Sequence, residues 1–132
     1  MRGVLALTLV AAAGAACGGG GPGGSADVGF DRLVSDPGAF SGRAVRVQAL
    51  YFEDPQVRVL TQALAESYPP QAVGASIWVE TRAPEGDCVT SDLGVTWGEV
   101  VARGTFRYSA GGGLGVPPIY SMALDDATLV CP

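Results

Sequence analysis

Gly42 to Glu53 reads GRAVRVQALYFE, and this stretch decides the fold. Val45, Val47, Ala49 and Tyr51 fall on one face of an extended chain, and Arg46, Gln48, Leu50 and Phe52 fall on the other. A period of two that opens on β-branched residues predicts a strand with one buried face. The apolar segments downstream read as partners that cover it. Glu53-Asp54-Pro55 is a turn signal, and Gln56 to Thr61 (QVRVLT) then alternates again. That makes it the natural hairpin partner, with Val57 and Val59 inward. Ala75 to Glu80 predicts a third strand, with Ile77 and Val79 on one face and Ser76, Trp78 and Glu80 on the other. Glu99 to Tyr108 predicts a fourth, in which Val100, Ala102, Gly104, Phe106 and Tyr108 alternate with Val101, Arg103, Thr105 and Arg107. Ile119 to Val130 predicts the last, bent near Asp125-Asp126.

The segments between these strands read differently. Phe30, Leu33 and Val34 stand at i, i+3 and i+4, the spacing of a short helix, with Asp27 or Asp31 as its cap. Pro37 stops it, and Phe40 is placed to plug the domain. Gln62 to Ser67 has mild helical character. Arg82 to Thr96 reads as a polar loop and Ser109 to Pro118 as a mobile, Gly-rich hairpin loop.

Composition limits the chemistry. The 132 residues suffice for one small domain, with 20 Gly and 16% charged side chains. There is no His and no Lys. The usual general base and commonest metal ligand are missing, and so are Schiff-base chemistry and the Lys phosphate clamp. The formal net charge is −5. Without Arg2, the eight bases become seven against 13 acids, a net of −6. A surface of that sign repels nucleic acid.

Met1 to Ala16 reads as an export signal, with Arg2 as the positive end and Val4 to Ala13 as an apolar run too short for a permanent membrane span. Gly14-Ala15-Ala16-Cys17 follows, and it resembles a bacterial lipoprotein signal. That resemblance covers seventeen residues and implies an acylated Cys17 as the mature N-terminus. It departs from the family pattern at Gly14, where Leu is usual. Secretory cleavage after Ala13 or Ala15 is the competing reading. Gly18 to Ser25 (GGGGPGGS) is a flexible tether with roughly 15 Å of reach for about nine residues. The chain thus divides into a signal peptide (1–16), an acylated Cys and tether (17–26) and a folded domain (27–132). The expected location is the bacterial cell envelope, lipid-anchored, with a soluble exported form as the alternative.

The strand pattern resembles an OB-fold over about residues 43 to 130: GRAVRVQALYF, a short second strand, and the long VVARGTFRY. The fold class expected is mainly β, a five-stranded, partly open OB-like antiparallel barrel with a short N-terminal helix. The chain departs from that pattern between strands three and four, where the usual helix has only the turn-rich Pro84 to Thr96 to occupy. Gly104 in mid-strand marks a bend where backbones approach closely. An immunoglobulin-like sandwich is the runner-up and would want about seven strands.

No arrangement of catalytic residues stands out. Cys88 lacks a His partner and sits among acids, which raise a thiol pKa. Asp125 and Asp126 point to opposite faces of a regular strand, so they share a site only if a bulge intervenes. The Asp87 to Asp92 loop lacks calcium-loop spacing, and Gly111 to Gly115 lacks the residues of a phosphate loop. No metal or cofactor is implied. Side chains off the inward faces remain: Arg46, Phe52, Trp78, Trp97 and Arg107, the residue types with which an OB-fold grips ligands. The plainer reading is that Trp78 and Phe52 are core.

Two functions follow. The first is a non-enzymatic binding or interaction module anchored to the membrane by its lipid. Its ligand would be another envelope protein, an oligosaccharide or a small molecule, and not nucleic acid. The second is a small carboxylate- or metal-dependent envelope hydrolase. Acylation of Cys17 would leave two of the three cysteines, and exported thiols pair, so Cys88 and Cys131 are expected to form a disulfide.

Overall fold

The structure, a computed structural model, describes residues 24–132. Cys17, the signal segment and most of the tether lie outside the described residues. The elements in order are β1 (Ala26–Asp27), α1 (Phe30–Ser35), the 3-10 turn Pro37–Ala39, β2 (Ala44–Glu53), β3 (Arg58–Leu64), β4 (Ala72–Val79), β5 (Val89–Asp92), β6 (Val95–Tyr108) and β7 (Met122–Val130). The expected mainly-β, OB-like barrel is present. The sheet runs β1-β2-β3-β4-β7-β6-β5, and a further β2–β6 pairing closes its five central strands into a barrel.

Closure is tighter than a partly open barrel, and it is not wholly antiparallel. β2 pairs along its whole length with β6, from Ala44↔Thr105 to Glu53↔Thr96. β4 and β7 run parallel and share only Trp78↔Ala123 and Val79↔Leu124. One lateral row of paired residues runs Trp97, Phe52, Val59, Trp78, Ala123, Arg107. It leaves β6 at Trp97 and returns to β6 ten residues further on, at Arg107. A stagger of that size over five strands tilts them steeply and leaves an interior that side chains fill.

The interior follows the alternation of GRAVRVQALYFE. Val45, Val47, Ala49 and Tyr51 point inward with Ile77, Val79, Val100, Ala102 and Phe106. The second strand corrects the expectation. Leu60 belongs to the core cluster, whereas Val59 is buried outside it and Val57 is half-buried. The turn sets this register. Asp54 Oδ1 accepts the backbone N–H groups of Gln56 and Val57 at 2.8 and 2.7 Å, and Asp54 N–H donates to the Val57 carbonyl. Leu60 then faces Tyr51 inside, and Val59 faces Phe52 outside. A one-residue change of register exchanges the two faces of a strand.

Two bulges bring further residues inward or set the bend. Leu124 and Leu129 are five residues apart, yet both are core. The register shifts between Arg103 and Thr105 on β6 and between Thr128 and Asp125 on β7, and Asp126 has φ 52°. The extra residue reverses the facing of the strand. Gly104 permits it: a Cβ there would lie 2.6 Å from the Asp125 carbonyl oxygen. On β4, Gly74 (φ 82°) marks a second shift, where Gln62 Oε1 accepts the Ala75 N–H at 3.1 Å.

Other expectations need revision. Gln62 to Leu64 continues β3 and is not helical. Gly29 is the N-cap of α1 with no side-chain cap bond, while Asp27 lies in β1 and Asp31 in the first helical turn. Leu33, fully buried, is the plug, and Phe40 packs half-buried at its side. Where the usual helix between strands three and four is missing, the hairpin β5–β6 stands instead.

Cys88 precedes β5 and Cys131 follows β7, and the two form a disulfide with Cα atoms 5.6 Å apart. It ties the C-terminus to the polar loop across a sequence separation of 43 residues. Chain-entropy reasoning gives at most about 4 kcal/mol for such a loop. Urea denaturation with and without reductant should therefore show a stability loss of up to about 4 kcal/mol, and an unchanged midpoint would contradict the bridge's structural role. The revised register is testable in the same way. Leu60→Ala should cost about 2–5 kcal/mol and Val57→Ala about 1 kcal/mol or less. The reverse order would restore the sequence-based register.

Candidate functional site

Two loops and the ends of two strands enclose a groove of about 780 Å³ on the outside of the barrel. Asp54, Pro55, Gln56 and Val57 form one wall, Val116 and Pro117 the other, and Arg58, Trp78 and Glu80 the floor. The first loop is the Asp54 turn that sets the β2–β3 register, so it is rigid for the same reason that the hairpin is. The second, between β6 and β7, is not an open glycine loop. Ser109 N–H donates to Ser121 O, Leu114 and Tyr120 exchange two backbone bonds of 3.0 and 2.9 Å, and Leu114 is buried.

That second loop folds over Trp78. The rings of Trp78 and Tyr120 lie 5.1 Å apart at 38°. Gly115, at φ 82°, lies against both rings, where a Cβ would come within 2.6 Å of Tyr120 and 2.9 Å of Trp78. Only glycine fits this conformation and this gap. Trp78 Nε1–H donates to Glu80 Oε1 at 3.3 Å, which fixes the indole in its plane.

Behind the groove, Tyr51 donates its hydroxyl proton to Glu53 from a ring held in the core. Glu53 also pairs with Arg58 at 3.7 Å. The Arg58 Nε–H is buried and has no partner among the described residues. Such an unpaired donor costs about 1–3 kcal/mol, so the guanidinium is held short of its best bonding. Burial and the neighbouring Glu53 raise the Tyr51 pKa well above its ordinary value, and burial together with the Asp54 charge raises that of Tyr120.

The five side chains singled out from the sequence are not gathered into one site. Phe52, Trp78, Trp97 and Arg107 share the lateral row, but that row encircles the barrel. Trp78 floors the groove. Arg107 lines a recess beyond Trp78, where its Nε pairs with Asp125 Oδ2 at 2.9 Å. Trp97 is half-buried and carries Tyr68 edge-on at 5.9 Å. Phe52 is not exposed, because it is enclosed between Val59 and Trp97 in the row and retains 4% of its surface. Arg46 stands at the far end of β2 and pairs with Asp27 at 3.1 Å. Asp54, Gln56, Glu80 and Tyr120 escaped the sequence reading as site residues. The one signal for them was the turn Glu53-Asp54-Pro55 beside a strand ending in Trp78-Val79-Glu80.

Among the described residues, no three His, Cys, Asp or Glu side chains converge in a way that would hold a metal ion. No helix among them is long and apolar enough to cross a membrane. Comparison with protein-family models, with curated proteins and with solved structures finds no match to the chain.

The raised tyrosines set the alkaline behaviour. A group with a folded pKa above its unfolded value of 10.0 contributes stability that is complete below that value. The contribution is lost as pH climbs from there towards the folded value. Unfolding free energy should hold up to about pH 9 and fall above pH 10, and Asp54→Asn should lower the Tyr120 pKa in an ultraviolet titration. A Tyr120 pKa unmoved by that change would place Asp54 away from the groove.

Proposed function

We propose that the chain is a lipid-anchored, non-enzymatic binding module of the bacterial cell envelope, with its ligand in the groove between the 54–57 and 109–121 loops. The groove itself carries the reading: an indole floor, apolar walls and polar groups from two rigid loops suit binding. OB-like barrels bind ligands with the corresponding face and loops. Cys17 followed by the Gly-rich tether supports the anchor, and the Cys88–Cys131 bridge accords with an oxidising compartment. The negative net charge and the absence of Lys argue against nucleic acid as ligand.

The test separates the anchor from the site. Cys17→Ser should move the protein from the detergent phase to the aqueous phase after export. Gln56→Ala with Val116→Ser, both on the exposed groove wall, should abolish specific capture of a ligand from solubilised envelope. The same double variant should keep its Tm within about 2 °C. Capture that survives the double variant would remove the groove from the function.

A further inference from the structure

The charges around Trp78 are unevenly spent. Arg58 and Arg107 are engaged by Glu53 and Asp125. Asp54, Glu80 and Asp126 have no ion-pair partner among the described residues. Asp54 and Glu80 line the groove, and Glu80 and Asp126 line the recess on the other side of Trp78. Counting the pairs, five carboxylates face two guanidinium groups around one indole. An aromatic face attracts cations through its quadrupole, and the N–H bond to Glu80 adds electron density to this one. The Asp54 charge already acts across the groove, since it helps to hold Tyr120 protonated.

We infer that the groove takes a basic peptide segment of an envelope partner, with an Arg or Lys side chain laid on Trp78 between Asp54 and Glu80. This rests on reading the groove as a ligand site and names the chemistry of its ligand. A lone inorganic cation is a poor fit for a groove of about 780 Å³ with no three-ligand set nearby. Pro55, Val57, Val116 and Pro117 offer apolar walls that suit the aliphatic stem and backbone of a peptide. An anionic ligand meets net repulsion from the same carboxylates. The unsatisfied Arg58 Nε–H can gain a bond if the side chain shifts towards a peptide carbonyl.

The experiment follows the two indole N–H resonances of the full chain, labelled with nitrogen-15 and solubilised in neutral detergent, with Trp97→Phe assigning the Trp78 signal. The probes are Gly-Arg-Gly amide, triglycine amide and a neutral chitin trisaccharide. Gly-Arg-Gly amide should move the Trp78 resonance in a saturable way, and triglycine amide should not. Its affinity should fall several-fold between about 0.05 M and about 0.5 M salt. Glu80→Gln should weaken it about fivefold without unfolding the barrel. If the trisaccharide alone moves Trp78, the cationic ligand is wrong and the groove still binds. If neither moves it, or the peptide moves only Trp97, both the ligand and the groove reading fail.

Discussion

Everything in this barrel depends on β2 being hydrogen-bonded along both edges. Its ten residues pair with β6 throughout and with β3 from Leu50 to Glu53. That double pairing closes the sheet into a cylinder and turns Val45, Val47, Ala49 and Tyr51 into a shared interior. The outermost strands of the sheet are the short β1 and β5. Short edges limit unwanted pairing with other chains.

The stagger that closes the barrel also decides where it closes least. β4 and β7 share two residue pairs, and one of them contains Trp78. The 109–121 loop connects β6 to β7 and, beside this thin seam, lays Tyr120 and Gly115 against the indole. The aromatic cluster therefore helps to cover a weak seam and also floors the groove. A residue that covers the seam couples any substitution there to barrel stability, so the exposed wall residues are better probes of the proposed binding than Trp78 itself.

Electrostatics gives the groove its character. The protein has no Lys, and two of its Arg side chains near Trp78 are engaged by Glu53 and Asp125. The remaining carboxylates face outward around an aromatic ring. A ligand proposed for such a surface would be selected by the sign of its charge, and that selection would weaken with salt.

The five barrel strands, the inward faces of three of them (β2, β4 and β6), the Gly104 bend and the pairing of Cys88 with Cys131 were all legible in the sequence by itself. Each is a local pattern: alternation, a glycine inside a strand, an even number of cysteines once Cys17 is set aside as a lipidation candidate. What only the tertiary structure decided was anything that depends on register. Val59 and Leu60 are both apolar neighbours, and alternation in QVRVLT favoured the wrong one, because the Asp54 side chain sets the phase from within the turn. Asp126 adopts a left-handed conformation that lets Leu124 and Leu129 share one interior, which five-residue spacing hides. Phe52, Trp78, Trp97 and Arg107 were recognised as one outward set, and they do form one row. Whether a row lies flat before a ligand or wraps round a cylinder is fixed by the stagger between strands far apart in sequence, and no single segment encodes that.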